Sequence, residues 1–182
     1  MRRLGILLVA VLALSGCNVR YGWGADIPVR GDRSTTPVDI GGGKVWRAVD
    51  AGEITSCGID AAQRLSCKMF AGVQEFAGPA LAPAWTSVST GFEHRCAIWD
   101  GGSLYCWGAN DVGELGTGSG SDYELTPQRV GTGSDWKMVA AGHHNTCGIR
   151  GAGDLYCWGA GLIVGGVVGD GTTEQRSTPT RI

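Results

Sequence analysis

The sequence predicts an all-β chain built from repeated antiparallel hairpins, and three observations carry that expectation. Glycine supplies 32 of the 182 residues, about 18% against a usual share near 7%. That is too much for a helical bundle, and it lacks the every-third spacing of a collagen-like chain. Six cysteines fall into three pairs, each ten positions apart: Cys57 with Cys67, Cys96 with Cys106, and Cys147 with Cys157. The tryptophans Trp46, Trp85 and Trp136 stand 39 and 51 residues apart. The same two offsets separate Val49, Val88 and Val139, then Gly52, Gly91 and Gly142, then Leu65, Leu104 and Leu155, and the cysteines themselves. A period of this length marks stacked or radial architectures, in which one unit cannot bury its own faces. With 43% hydrophobic residues and seven tryptophans, the chain can fill such interfaces.

In chain order, the first element is an address. Met1-Arg2-Arg3 is a basic head and Leu4 to Leu14 an apolar run of eleven residues, short of the roughly 20 that a membrane-spanning helix needs. A basic head, an apolar middle and small residues describe a secretory signal. Leu14-Ser15-Gly16-Cys17 resembles the lipobox of bacterial lipoproteins. That resemblance implies cleavage after residue 16 and lipidation of Cys17, so that several acyl chains hold the mature chain stably at a membrane. Asn18 follows in place of the aspartate of the inner-membrane retention signal, which favours an outer-membrane address in the bacterial cell envelope. The expected organisation is a signal peptide over 1–16, a lipid-anchored N-terminus with a partial repeat tail over 17–44, and repeats over 45–83, 84–135 and 136–182.

Each cysteine pair frames a hairpin. Cys96-Ala97-Ile98-Trp99 is strand-like, Asp100-Gly101-Gly102 is a turn and Ser103-Leu104-Tyr105-Cys106 is a second strand. If Trp99 pairs with Ser103, Cys96 lies opposite Cys106, with Gly102 in the left-handed position that such loops require. The third pair repeats this with Gly153, whereas the first has Gln63 there and predicts its turn less firmly. Six cysteines allow fifteen connectivities, but opposed strand residues meet the separation a disulfide needs. Each bridge would close 11 residues, a loop-entropy contribution of about 2.8 kcal/mol. The competing zinc reading of Cys147 with His143 and His144 finds no Cys-x-x-Cys knuckle. Cys17 is left over, as lipidation requires. Alternation puts Cys96, Ile98, Leu104 and Cys106 on one face, and Ala97, Trp99, Tyr105 and Trp107 on the other. Both faces are apolar, as in a sheet covered on two sides.

Trp136-Lys-Met-Val-Ala-Ala-Gly142, Thr146-Cys-Gly-Ile149 and Asp154-Leu-Tyr-Cys-Trp-Gly159 resemble the regulator of chromosome condensation repeat family. The pattern continues as Gly113-Glu-Leu-Gly116 with Pro127, and as Gly166-Val-Val-Gly169 with Pro179. Tyr21-Gly-Trp-Gly24 through Arg33-Ser-Thr-Thr-Pro37 looks like the tail half of a repeat, and Lys68-Met69 stands where the first repeat should read Trp-Gly. The resemblance implies a β-propeller, seven-bladed in full-length members. Three heads and four tails make about three and a half blades, so a partial propeller is expected. It would either assemble with itself or another repeat protein, or be a truncated relative.

The residues offer little chemistry. The net charge of −2 lacks the basic stripe that nucleic-acid binding needs. Gly41-Gly42-Gly43-Lys44 fails the phosphate-loop pattern at Val45, and Arg30-Gly31-Asp32 is an isolated tripeptide. No catalytic residue, metal site or cofactor is assigned. His94 is expected to be structural. His143 and His144, with Tyr123, are candidates for contact with a protein partner, as are the loops from Ser119 to Thr126 and from Gly161 to Val168. The family's best-known activity, nucleotide exchange on a nuclear GTPase with chromatin binding, does not fit a chain with a secretory leader and oxidised hairpins. The function expected is a non-enzymatic, lipid-anchored envelope protein whose repeat loops bind a protein partner. The alternatives are an inhibitor of an extracellular hydrolase, inserting Tyr123 or Phe92, and a truncated repeat protein with no function of its own.

Overall fold

Twelve strands in three four-stranded antiparallel sheets make up the described part of the chain. The computed structural model describes residues 44–69, 72–76, 84–160 and 168–182; the leader, Cys17 and the partial repeat tail lie outside them. Blade 1 holds β1 (Trp46–Ala51), β2 (Ser56–Asp60), β3 (Leu65–Met69) and β4 (Gly72–Phe76). Blade 2 holds β5 (Trp85–Thr90), β6 (His94–Trp99), β7 (Ser103–Ala109) and β8 (Tyr123–Arg129). Blade 3 holds β9 (Trp136–Ala141), β10 (Asn145–Arg150), β11 (Asp154–Gly159) and β12 (Arg176–Arg181). Strands follow chain order within each sheet, and β1, β5 and β9 pack side by side while β4, β8 and β12 form outer edges. Pro127 and Pro179 sit on those edge strands, where a missing N–H costs no ladder bond.

The hairpin register is the one the cysteine spacing predicts. Cys96 pairs with Cys106 and Trp99 with Ser103, Cys57 with Cys67, and Cys147 with Cys157. All three pairs are disulfide-bonded, with Cα atoms 4.1 Å apart. Gly102 and Gly153 take the left-handed conformation at φ 78° and 125°, and Gln63 takes it at 62° in the first turn. A non-glycine residue there costs about 1–2 kcal/mol. The Asp60 carboxylate offsets this by accepting from the Ala62 and Arg64 backbone N–H groups at 2.9 and 3.0 Å and from Arg64 Nε at 2.8 Å. Those bonds, opposed by burial, hold the Asp60 carboxyl below its usual range.

The core lies between blades. One cluster joins Cys57, Ile59, Leu65 and Cys67 of blade 1 to Trp85, Val88, Ala97 and Trp107 of blade 2, with Trp99 and Tyr105 against it. The next joins Cys96, Ile98, Leu104 and Cys106 to Trp136, Val139 and Trp158 of blade 3. Blades 1 and 2 thus present their bridge, isoleucine and leucine to the following blade, and blades 2 and 3 present their tryptophans and valine to the preceding one. The glycine column follows from the same packing. A Cβ on Gly52 would overlap the Gly91 carbonyl, and one on Gly91 would overlap the Gly142 carbonyl.

Polar ties repeat along both seams. An Asp50 carboxylate oxygen accepts from Thr90 N at 2.6 Å and Thr90 Oγ1 at 3.0 Å, and at the equivalent place Ser89 Oγ accepts from Ala141 N at 3.0 Å. Trp85 N donates to Gln63 O at 3.2 Å and Trp136 N to Gly102 O at 3.0 Å. One expectation changes: Tyr123 to Thr126, the end of a run expected to be loop, begin β8, while His94 opens β6. The Ser-, Gly- and Asp-rich run before Tyr123 ends where the edge strand finds its ladder partners Ala109 and Gly108.

Candidate functional site: a loop end with aromatic and acidic side chains

The turns joining the first two strands of each blade lie at one end of the molecule. They put unlike side chains at like positions: Glu53, Phe92 and His143, then Ile54, Glu93 and His144. The glycine before each pair lets neighbouring turns approach, and Phe92 N donates to Gly142 O at 3.3 Å across the seam. Phe92 and His143 consequently stack at 4.2 Å with their planes 14° apart, and His144 meets His143 edge-on at 4.3 Å. His143 Nε2 is 3.9 Å from Glu53 Oε1, so side chains from all three blades meet here. Of the expected contact residues, His143 and His144 are brought together with Phe92. Tyr123 stands on β8 with 48% exposure, close enough to Arg95 to favour its charge. The Gly161 to Val168 loop lies outside the described residues except at its last position.

Beneath this surface runs a buried polar chain. Glu114 comes from the Gly113-Glu-Leu-Gly116 turn, which folds over blade 3: Gly116 lies against the Trp158 ring, and Glu114 O accepts from Trp158 Nε1 and Thr146 Oγ1, both at 2.8 Å. Thr146 has spent its hydroxyl proton, so it accepts from His94 Nε2 at 2.8 Å, which places the ring proton on Nε2 and leaves Nδ1 bare. His94 is nearly fully buried, with its pKa lowered to about 4 by burial first and then by Arg95 and the other two histidines. It is neutral at physiological pH. Arg95 is also buried, its pKa lowered by burial and supported by Tyr123 and Glu93, and one of its terminal nitrogens donates to Thr55 Oγ1 at 3.3 Å. Burial raises the Glu114 carboxyl, opposed by backbone hydrogen bonds and by His144 Nδ1 at 3.4 Å.

Sequence reasoning missed Glu114 and Arg95. A carboxylate inside a glycine turn reads as solvated, and only its carbonyl's contact with the next blade explains why the backbone is fixed there. Among the described residues, no three His, Cys, Asp or Glu side chains converge as a metal site would need. Glu93, Asp111 and Asp122 are exposed around the stack, so the end offers rings, imidazoles and carboxylates. That set suits hydrogen bonding and charge pairing with a macromolecular surface better than bond-making chemistry.

Residues 101–149 match the regulator of chromosome condensation (RCC1) repeat, and residues 85–114 match a second description of the same repeat. The ultraviolet-B receptor UVR8 of Arabidopsis thaliana is 37% identical over 97 residues, covering 52% of this chain and 21% of the receptor. The human E3 ubiquitin-protein ligase HERC2 is 28% identical over 196 residues, covering 92% of this chain and 4% of the ligase. The chain therefore spans about a fifth or less of these two relatives. Among solved structures, Prp20p from Saccharomyces cerevisiae superposes with a TM-score of 0.66 at 20% identity, over 75% of this chain and 38% of that one. Human WBSCR16 gives 0.62 at 18% identity, over 75% and 37%. At these identities the structures establish a shared fold, the propeller blade.

Proposed function

We propose that this chain, which carries regulator of chromosome condensation repeats, is a non-enzymatic binding protein that grips a protein partner with the loop end of its blades. The column of Glu53, Phe92 and His143 carries this reading. The scaffold positions on either side of it, Gly52-Gly91-Gly142 and the cysteines, are the same in every blade, yet this column differs in each. Constant framework with variable loops is the division between scaffold and recognition surface that repeat proteins use. Prp20p, the fold neighbour, has binding properties towards Gsp1p and histones and has been seen with Kap60 bound, which supports protein binding as the manner of working. The exposed carboxylates favour a partner with a basic face. Phe92 is committed to the stack with His143, so the hydrolase-inhibitor reading would fall on Tyr123 alone.

In the same reading, Cys17 carries lipid and holds the blades at an envelope membrane, the outer one being favoured by Asn18. Incorporation of labelled palmitate that vanishes in Cys17→Ser is the expected result for the anchor. For the binding face, the oxidised chain serves as bait in envelope extract beside a Phe92→Ala/His143→Ala variant. A protein held by the first and lost by the second is expected. The same proteins on both, or none on either, would refute the reading.

A further inference from the structure

The two outward faces of the three-blade unit are the two halves of one seam. Val49 is 66% exposed on blade 1, whereas its equivalents Val88 and Val139 are 9% and 7% exposed under a preceding blade. At the other end Leu155 is 41% exposed on blade 3, whereas Leu65 and Leu104 are fully buried under a following blade. Met138 is exposed on that face too, at the position where Ala48 packs into the first seam. Gly142 adds a separate observation. In blades 1 and 2 this glycine is required by the next blade's carbonyl. In blade 3 it is exposed, and the atoms nearest to a Cβ there belong to Asn145 of its own turn, whose side-chain oxygen it would overlap, rather than to a carbonyl of another blade. The sequence thus keeps the close-approach residue at a place where no following blade is described.

We propose that blade 3 of one copy seats blade 1 of a second copy, continuing the internal seams head to tail. Trp46 and Val49 of the second copy would cover Ile149, Leu155 and Met138. Asn145, in the position of Thr55 and His94, would bond Ser56, in the position of Arg95 and Thr146. The His143 backbone N–H would donate to the Gly52 carbonyl, as Phe92 does to Gly142. Each copy offers one face of each kind, so two copies can satisfy all four faces in a closed pair, while a rotation that did not close would give a chain of copies. On blade 1, Lys68 stands half-buried where blades 2 and 3 have tryptophan, and Ser66, where they have tyrosine, is already buried and adds no apolar surface. The seam between copies is therefore less apolar than those within a copy, and its assembly depends on concentration.

The test is light scattering after size exclusion on the oxidised chain carrying Cys17→Ser, so that no free thiol couples two copies. A molar mass twice that of the 18.9 kDa chain, or a longer series, is expected at tens of micromolar. Leu155→Arg and Val49→Asp, both at exposed positions, should each return the mass to that of one copy. Mixing the two variants should restore the pair, because one of its seams is then wild type and the other joins arginine to aspartate. A wild-type monomer would overturn the proposal, whether the faces are covered by another protein or by the chain's own N-terminal residues. So would a dimer indifferent to both substitutions.

Discussion

In blade 2, Ile98, Leu104 and the Cys96–Cys106 bridge share a core with Trp136 and Trp158; in blade 3, the equivalent Leu155 is exposed and Ile149 and Cys147 are only half-buried. The residues are nearly the same and the surroundings are not. A leucine in this column is core or surface according to whether a blade follows, so the column records what each face is built to meet. The same contrast separates the seams. Between blades 1 and 2, a buried guanidinium from Arg95 reaches Thr55; at the equivalent place between blades 2 and 3, Thr146 meets the His94 imidazole.

The comparison breaks most visibly at the leucines. Leu104→Ala should cost about 3 kcal/mol and Leu155→Ala about 1 kcal/mol, read from urea titrations at low protein concentration. Equal losses would mean that the two faces are equally covered. The seams differ next in pH. Because the His94 pKa is lowered to about 4 from 6.5, the unfolded chain takes up a proton that the folded one refuses. Stability from this group is complete above pH 6.5 and declines towards pH 4. The loss is on the order of 3 kcal/mol, measured as the difference between wild type and His94→Asn, the residue blade 3 has there. Glu114, with its raised carboxyl, drifts the opposite way and largely cancels in that difference. An identical pH profile for the two proteins would remove His94 from the seam. The smallest effect tests the turns: Gln63→Gly relieves a left-handed side chain worth about 1–2 kcal/mol but adds glycine's backbone entropy, so it should raise stability by about 0.5–1 kcal/mol, while Gly153→Gln, at φ 125°, should lower it by about 1–2 kcal/mol.

Local pattern carried much of this. Ten-residue cysteine spacing with glycine before the returning strand defined the register, and alternation sorted Ile98 and Leu104 from Trp99 and Tyr105 correctly. The Gln63 turn was also within reach, since Asp60 two and four residues before its bonded amides is an Asx-type signal. The seam was not. Asp50 meets Thr90 and His94 meets Thr146 across 40 and 52 positions, and nothing local in either residue announces its partner. Aligning the columns shows that positions 50 and 89 both carry an oxygen, but only packed blades show which amide it meets. The stack of Phe92 on His143 was hidden for the same reason, because it depends on two turns from different sheets approaching over glycine.

Among the described residues every disulfide closes inside a single hairpin, and none crosses from blade to blade. A blade is therefore a covalently self-contained cassette. As the chain emerges from its N-terminus, each cysteine can meet its partner as soon as ten more residues have followed, before the next blade exists. The correct pairing among the six can form in sequence, with little call on an isomerase to unscramble it. Gene-level gain or loss of a whole blade would likewise strand no thiol. The covalent wiring leaves the number of blades free to change, and leaves the contacts between blades as the only thing that sets it.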